Sequence, residues 1–504
     1  MTTAFPNRKL TIALLVRDEV EPLSLTLKNI QQVADEVVVV DLGNHPQVAE
    51  VIQQNSARRI PHVWSDSYSE ARNAAHEAAT GQSILWLEPG ETLSESQGQQ
   101  LREFVLDGIQ ANTAYVMLVS TPQSDGMIGS EQIGKIRLLP NLPTVRFEGR
   151  VAETALPRLL ASDVALDALA YVICRMEPDH QRKLNQAVID VRLIDQEVKE
   201  AGPTARLMIH MAEAMQVMND QGNALLFFQQ ACQLAEPETA EMLEGFYGIL
   251  TSLDGQAHAV EIQIDTCMTA LEMFPLDAQL LCAMGGYLQT KGHLELARRS
   301  FDTAYRYGQV NLETWHINDI DEIAASCLAI TASLSGLTDD AERIVEEALS
   351  TFPDSIRLRR QMIDIHIKYG RRTEALAELE KLPEGYPQRE LLRSVIRGGA
   401  LAAQRKWSSA RPYLEAAYQQ GYRDAVCLRW YSATLLALGD TDTGRMVLEL
   451  WLEKEPLSDE PKKLLRSLLS PNQKTLTGNA RRVDSPSSIL SKLSGAAARN
   501  SVER

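Results

Sequence analysis

Two glutamates, Glu88 and Glu91, follow a short apolar run at residues 83–87 and enclose the pair Pro89-Gly90. A run of this length is typical of a buried parallel strand, and a Pro-Gly pair is typical of a turn. In an open α/β sheet, ligands bind at the carboxyl ends of the strands. The two carboxylates therefore stand where a nucleotide-dependent enzyme would hold Mg²⁺ or Mn²⁺, which prefer oxygen ligands.

The elements that would position this turn are alternating strands and helices. Apolar runs of strand length at residues 10–16, 36–40 and 59–64 alternate with stretches of helical periodicity. This alternation predicts a parallel α/β sheet with right-handed crossovers. The sequence contains neither GxGxxG nor GxxxxGK[ST], so it supports neither a dinucleotide-binding motif nor a P-loop.

Three stretches near the turn carry a resemblance to a known family. Residues 66–73 (DSYSEARN), 79–81 (ATG) and 84–87 (ILWL) are similar to the core of family 2 glycosyltransferases, and more narrowly to the bacterial members that carry tetratricopeptide repeats after the transferase domain. The resemblance covers residues 1–182. It implies a GT-A-like, Rossmann-like α/β domain with a mostly parallel sheet, and transfer of a hexose from a nucleotide-sugar donor.

The family's stretch ends in a D-A-D-E-like motif, whose aspartates hold a divalent cation against the donor diphosphate. The aligned residues here are Glu88, Pro89, Gly90 and Glu91, so the first acid is kept as Glu and the second is replaced by Gly90. The resemblance implies Mg²⁺ or Mn²⁺ at Glu88 and Glu91, and the replacement at Gly90 argues against that cation. The alternative is a solvent-exposed acidic turn.

Asp41, Arg72 and Asn73 are the candidate nucleotide-binding residues. Residues 37–44 (VVVVDLGN) are similar to the family's V-V-D-x-G-S-T-D stretch, which implies that Asp41 meets the base or ribose. Arg72 and Asn73 match a pair that helps to hold the nucleotide and the neighbouring loop, and the planar fork of an arginine suits a diphosphate. Without the resemblance, Asp41 would cap a turn and Arg72 would pair with a nearby surface acid.

Glu153 is the candidate catalytic residue. It ends the run RFEGRVAE, which resembles the family's R-F-x-G-x-V-H-E segment on the acceptor side of the site. The resemblance implies a general base that takes the acceptor proton as the anomeric carbon is attacked. A structural ion pair of Glu153 with Arg146 or Arg150 is an equal alternative.

The chain departs from the family pattern at three polar sites. These are Gly90, Ala152 in place of a His, and residues 171–178, where a family His pair is replaced. One loss fits a family variant, whereas three together indicate a pseudoenzyme or an altered way of holding the donor. Two hypotheses follow: a transferase whose repeats select the acceptor, and a catalytically inactive scaffold or adaptor.

From about residue 183 the pattern becomes helical only, with small and large apolar residues recurring at a period near 34, the tetratricopeptide length. Positions 341, 375, 410 and 444 are separated by 34, 35 and 34 residues. Packed helix pairs need small residues at such intervals, so residues 183–470 are predicted to form a solenoid that binds a peptide or protein partner. Residues 307–321 interrupt the period and are predicted to form a longer loop.

Composition limits the other possibilities. The formal charge of −17 argues against a nucleic-acid partner, and no apolar run approaches the roughly 20 residues of a membrane helix. The six cysteines form no CxxC pair and the N-terminus has no signal-peptide pattern, so a soluble, cytoplasmic protein is predicted. Residues 471–504, rich in Ser, Asn, Gly, Arg and Ala, are predicted to be a disordered tail.

Overall fold

The computed structural model of the chain describes residues 9–122, 130–254, 256 and 259–469. Within these residues, an α/β region with a mostly parallel sheet is followed by a region of helical repeats. The tail predicted to be disordered lies outside the described residues.

The chain divides into two compact units. The sheet unit comprises Met1–Met284 and Tyr307–Ile320, and the solenoid unit comprises Gly285–Arg306 and Asp321–Arg504. The predicted division between residues 182 and 183 falls inside one helix of the sheet unit and stays a prediction.

A single mixed sheet forms the centre of the sheet unit. Its strands in the described chain are β1 (Leu10–Val16), β2 (Glu36–Asp41), β3 (Arg58–Pro61), β4 (Ser83–Trp86), β5 (Glu91–Thr92), β6 (Thr113–Thr121), β7 (Glu131–Pro140), β8 (Ala165–Arg175) and β9 (His316–Ile317). The order across the sheet is β3-β2-β1-β4-β7-β6-β8-β5, and β9 pairs with β7. Only β5 and β7, among these strands, run against the common direction.

Strand β1 is buried on both faces, as its uninterrupted apolar sequence predicts. Leu14 and Val16 belong to the apolar core on one face, whereas Ala13 belongs to the core on the other face. In the register of the sheet, Val16 lies opposite Asp41 of β2, and Ala13 lies opposite Trp86 of β4. The carboxyl ends of β1, β2 and β4 therefore meet at one edge of the sheet, which is where the candidate site residues are attached.

Five helices cover the two faces of the sheet: α1 (Val20–Asn29), α2 (Pro46–Gln54), α3 (Tyr68–Ala78), α4 (Glu95–Asp107) and α5 (Leu156–Leu160). Helices α1, α2 and α4 contribute to the core on one face, and α3 and α5 to the core on the other. Ser94 caps the N-terminus of α4, because its hydroxyl accepts a hydrogen bond from the Gln97 backbone N–H.

The sheet unit also contains the first repeat helices: α6 (His180–Ala201), α7 (Ala205–Val217), α8 (Gln221–Leu234), α9 (Ala240–Leu253), α10 (Val260–Met273) and the first part of α11 (Ala278–Thr290). Val151, in the loop before α5, joins the apolar core formed by α6, α7 and α8. Two ion pairs also connect α6 to loops of the α/β region. Glu200 of α6 pairs with Arg150 in the loop before α5 (2.8 Å), and Arg192 of α6 pairs with Asp66 in the loop before α3 (2.7 Å). This shared core explains why α6, α7 and α8 belong to the sheet unit.

The insertion predicted to be a loop contains a strand instead. Its residues His316 and Ile317 form β9, which pairs with the first residues of β7, and the Gly134 N–H of β7 donates to the Leu312 carbonyl at 2.7 Å. The short strand β4 pairs only with the last residues of β7, so it leaves the first part of that edge uncovered. The insertion covers this edge and satisfies part of its backbone.

The solenoid unit is a series of helices in antiparallel pairs. After α11 these are α12 (Leu294–Tyr307), α13 (Ile320–Leu334), α14 (Thr338–Thr351), α15 (Ile356–Lys368), α16 (Arg372–Glu380), α17 (Arg389–Ala403), α18 (Trp407–Gln419), α19 (Ala425–Ala437), α20 (Thr441–Lys454) and α21 (Asp459–Leu469). The repeat positions predicted from the period are buried in the second helix of each pair, for example Ala341 and Val345 in α14 and Ala410 and Leu414 in α18.

Candidate functional site

The turn from Glu88 to Glu91 is held by its own backbone and by α1. The Gly90 N–H donates to the Thr26 hydroxyl at 2.9 Å and to the Pro22 carbonyl at 3.1 Å. Gly90 has a φ of +94°, a conformation that L side chains rarely adopt. The position at which the resembled family carries its second acid is therefore shaped for glycine, and an aspartate there would be strained.

Glu91 is a buried structural acid. Its side chain is 0% exposed, and Oε1 accepts hydrogen bonds from Arg137 Nη2 (2.7 Å) and from Arg175 Nη2 (2.8 Å) and Nε (3.1 Å). Its Oε2 accepts from the Glu88 backbone N–H at 2.8 Å. Four N–H donors thus use both carboxylate oxygens of Glu91.

Glu88 stands beside the same arginines but remains accessible, with 42% of its side chain exposed. Its carboxylate lies 3.1 Å from Arg175, 3.6 Å from Arg137 and 3.8 Å from Arg72. Partial desolvation beside the turn opposes ionisation of Glu88, but the positive charges of Arg175, Arg137 and Arg72 outweigh it and lower the pKa of Glu88 to about 2. Glu88 is therefore a carboxylate at any physiological pH.

Arg72 links the turn to Glu153. Its Nε donates to Glu153 Oε1 at 2.5 Å, and its guanidinium carbon lies 4.9 Å from the centre of the Trp86 ring and 5.5 Å from that of Phe147. Burial favours the neutral form of Arg72, but Glu153 and Glu88 outweigh it and raise the pKa of Arg72. Arg72 is thus a cation that packs against two aromatic rings and lies beside two carboxylates.

The partner of Glu153 is Arg72 and not one of the arginines beside it in sequence. Arg146 pairs with Glu77, and Arg150 pairs with Glu200. Arg72 is 81 residues away along the chain, a separation at which sequence spacing carries no pairing signal. The role of Glu153 as a base stays a prediction.

Asn73 and Asp41 have separate partners. The Asn73 side chain donates to the Phe147 carbonyl at 3.0 Å and accepts from the Phe147 N–H at 2.9 Å, so it fixes the ring that packs on Arg72. Asp41 is 0% exposed; it accepts from the Asn44 backbone N–H and from Arg59 Nε, each at 2.8 Å. The structure therefore brings together Arg72, Glu88, Glu91 and Glu153. Asn73 contacts the backbone of Phe147 beside this cluster, whereas Asp41 is bound to Asn44 and Arg59.

Sequence reasoning missed Arg137 and Arg175. Arg137 lies in β7, and Arg175 lies in β8 directly opposite Glu91 of β5. Both reach the turn only through strand pairings between distant parts of the chain. A local signal did exist for Arg137, since it is a charged residue that interrupts the apolar run IRLLP. A charge inside such a run needs a buried partner, and Arg137 is indeed only 4% exposed.

The residues present do not fit a divalent cation. A metal ligand competes with its existing hydrogen bonds, and Glu91 Oε1 already accepts three arginine N–H groups while Oε2 accepts the Glu88 backbone N–H. In the part of the chain that the structure describes, no group of three His, Cys, Asp or Glu side chains is suited to hold a metal ion. The cluster is better described as three arginines paired with three glutamates.

A second polar cluster in the sheet unit centres on Glu244 of α9. Burial, together with the negative charge of Glu213, raises the pKa of Glu244 to about 7. Glu213 itself lies 3.0 Å from the imidazole of His210 on α7. Glu244 is therefore an acid whose ionisation is resisted near neutral pH.

The solenoid unit contains a groove with a volume of about 680 Å³. It is lined by residues of α11, α13, α15 and α19 and by the connection between α20 and α21. Ile330 of α13 lines it with 42% of its surface exposed, near Leu334 and Val426. Two aromatic residues of the helical repeats, Tyr247 and Tyr431, do not line the groove and are buried, at 4% and 3% exposure.

All six cysteines are described and are free thiols. Within the described ranges, none of the helices combines the length and the apolar character needed to cross a bilayer.

Comparison with known proteins gives a match in the solenoid unit. A family model for the tetratricopeptide repeat matches residues 334–397. A TPR repeat-containing protein of Synechococcus elongatus is 31% identical over 153 residues, which are 30% of this chain and 37% of that protein. The chain thus covers little more than a third of the length of this relative.

Solved structures of repeat proteins are also similar. A tetratricopeptide repeat protein from Parabacteroides merdae aligns with 51% of this chain and 98% of its own, at 15% identity and a TM-score of 0.33. YrrB, described as a TPR protein with an unusual peptide-binding site, aligns with 37% of this chain and 89% of its own, at 18% identity and a TM-score of 0.29. Likeness at this level carries no argument about ligands. The family-model match and the buried repeat positions together identify tetratricopeptide repeats in the solenoid unit.

Proposed function

We propose that the protein is a tetratricopeptide adaptor that binds an extended peptide or a helix of another protein in the groove of the solenoid unit. The observation that carries the proposal is the groove itself, which exposes apolar side chains on the facing surfaces of several helices. Ile330 and its neighbours offer anchoring contacts of the kind that a peptide's apolar side chains fill. Repeat solenoids commonly bind partners on such extended concave surfaces.

The charged residues of the groove support a preformed site. Asp424 is held by Arg360 at 2.5 Å, and Glu460 is held by Arg429 at 3.0 Å. These pairs fix the walls of the groove before a partner arrives, so less side-chain freedom is lost on binding. Apolar contacts with Ile330, Leu334 and Val426 would then supply most of the affinity.

Site-specific photo-crosslinking tests this proposal. A photoreactive residue at Ser333, inside the groove, should capture a partner in cells, and the same residue at Ser350 on α14 should not. Ile330→Arg should abolish capture by placing a charge on the anchoring surface. Leu337→Arg, at a residue that is 43% exposed and outside the groove, is the matched control and should leave capture intact. Equal capture from both positions, or capture insensitive to Ile330→Arg, would exclude the groove as the binding site.

A second candidate is a GT-A-like sugar transferase that works without a bound cation. In its favour, Arg72 and Glu153 lie together beside an accessible Glu88 at the carboxyl edge of the sheet. Arg72 and Asn73 would hold the nucleotide, and Glu153 would act as the base. Against it, Asp41 is already occupied by Arg59.

Calorimetric titration with UDP and GDP, with and without Mn²⁺, tests the second candidate. Micromolar binding, about −8 kcal/mol, that persists with a chelator and is lost in Arg72→Met would support it. The absence of heat for both nucleotides would reject it and leave the adaptor proposal untouched.

A further inference from the structure

The carboxylates of the Glu88–Glu91 turn are already neutralised by the protein. Arg137 and Arg175 both bind Glu91 Oε1, and Arg175 also reaches Glu88 at 3.1 Å. Arg72 binds Glu153 at 2.5 Å and lies 3.8 Å from Glu88. Three guanidinium groups and three carboxylates therefore balance one another in charge.

Packing and strand pairing hold the three arginine side chains beside the Glu88–Glu91 turn. Arg137 is 4% exposed within β7, which pairs with both β4 and β6. Arg175 is fixed by the register that sets it opposite Glu91. Arg72 is 13% exposed and packs against the rings of Trp86 and Phe147. A cation that entered among them would meet three fixed positive charges and a Glu91 whose Oε1 already accepts three arginine N–H groups and whose Oε2 accepts a backbone N–H.

We propose that Arg72, Arg137 and Arg175 take over the charge-neutralising role of a divalent cation, so that the sheet unit binds neither Mg²⁺ nor Mn²⁺. The positive φ of Gly90 belongs to the same arrangement, because it prevents a second acid from being restored without strain. This inference concerns the sheet unit alone and is independent of the groove in the solenoid unit.

Titration of the full-length chain with Mn²⁺ tests the proposal. The loss of the free-ion signal in electron paramagnetic resonance measures how much Mn²⁺ is bound. The wild-type chain should show no site that depends on Glu88. Arg175→Ala removes the cation nearest to Glu88 and two of the three N–H donors to Glu91 Oε1, and it should create Mn²⁺ binding at least about tenfold tighter than any residual binding of the wild type. The gain should disappear in Arg175→Ala/Glu88→Gln.

The matched control is Arg158→Ala. Arg158 pairs with Glu148 at 2.5 Å, but both side chains are exposed, so its loss should produce no Mn²⁺ site. Wild-type binding of Mn²⁺ that is removed by Glu88→Gln would overturn the proposal, and so would a folded Arg175→Ala protein without any gain. If Arg175→Ala does not fold, as judged by circular dichroism, the wild-type titration against Glu88→Gln still decides the matter.

Discussion

The ring of Phe228 on α8 packs directly against the backbone of Gly248 on α9, where an added Cβ would lie 2.2 Å from the ring. The same relationship recurs within the solenoid unit. A Cβ at Gly285 would lie 2.7 Å from Phe301, and one at Gly398 would lie 2.6 Å from Leu414. In these three repeats, the large residue of the pattern packs where the neighbouring helix has a glycine.

Gly248→Ala should destabilise the sheet unit by about 1–3 kcal/mol, because the core must move to admit the methyl group. Chemical denaturation measures the effect. Gly286→Ala on α11 is the control, since nothing lies within 4 Å of its added Cβ. It should be neutral or stabilising by up to about 1 kcal/mol, the helix-propensity gain of Ala over Gly.

A double-mutant cycle isolates the contact. In a Phe228→Leu background the smaller side chain leaves room, so Gly248→Ala should cost clearly less than in the wild type. An unchanged cost would show that the ring of Phe228 is not what excludes a side chain at position 248.

The repeats were predictable from sequence because their signal is local and periodic. Small residues such as Ala341, Ala375 and Ala410 recur at an interval set by the packing of helix pairs, and each is fully buried. The turns between the helices carry a second periodic signal, the spacing of their glycines. Gly336 and Gly370, 34 residues apart, both have positive φ between the helices of a pair.

The site was predictable only in part. Local motifs singled out Arg72, Glu88, Glu91 and Glu153, which do lie together. Their ionic partners depend on which strands are neighbours, and a strand order across the sheet is not encoded in local spacing. Arg175 and Glu91 are 84 residues apart in sequence yet face each other across β8 and β5.

Glu244→Gln should stabilise the protein above neutral pH and not in acid. The folded-state pKa of Glu244 is raised from its ordinary 4.5 to about 7, so the folded chain binds more protons than the unfolded chain between these values. Wild-type stability therefore falls as the pH rises through this window. The glutamine variant lacks this loss and should be more stable at pH 8 by on the order of 1–3 kcal/mol.

Thermal unfolding at pH 4 and pH 8 measures the difference. Glu272→Gln is the control, because it makes the same substitution at an exposed position of α10 in the same unit. It should change the unfolding temperature by the same amount at pH 4 and at pH 8. A Glu244→Gln effect that is the same at both pH values would show that the ionisation of Glu244 is not resisted.

Arg360→Leu should destabilise the solenoid unit by about 1–3 kcal/mol, because it leaves the buried Tyr422 hydroxyl and two partly exposed carboxylates without their cation. Arg360 is 14% exposed and donates to Asp364, to the Tyr422 hydroxyl (2.6 Å) and to Asp424 (2.5 Å). Arg343→Leu, which breaks a largely exposed pair with Asp340, should cost less than about 1 kcal/mol. Similar unfolding midpoints for the two variants would contradict this expectation.

Two ion pairs of the sheet unit allow burial to be tested at constant geometry. Arg72–Glu153 and Arg158–Glu148 both have an Nε to Oε1 distance of 2.5 Å. The side chains of the first pair are 13% and 11% exposed, and those of the second are 57% and 42% exposed. Water screens the second pair and can solvate either partner when the other is removed.

We therefore expect Arg72→Met and Glu153→Gln each to destabilise the protein by about 3 kcal/mol, since each removes one partner of a largely buried pair and leaves Arg72 with only the longer contact to Glu88 or Glu153 without its cation. The double variant should cost little more than one single variant, which gives a coupling energy above about 2 kcal/mol. The corresponding cycle with Arg158→Met and Glu148→Gln should give a coupling of at most about 1 kcal/mol. Equal coupling energies for the two pairs in urea denaturation would contradict this expectation. They would mean that the packing of Arg72 against Trp86 and Phe147 does not strengthen its pair with Glu153.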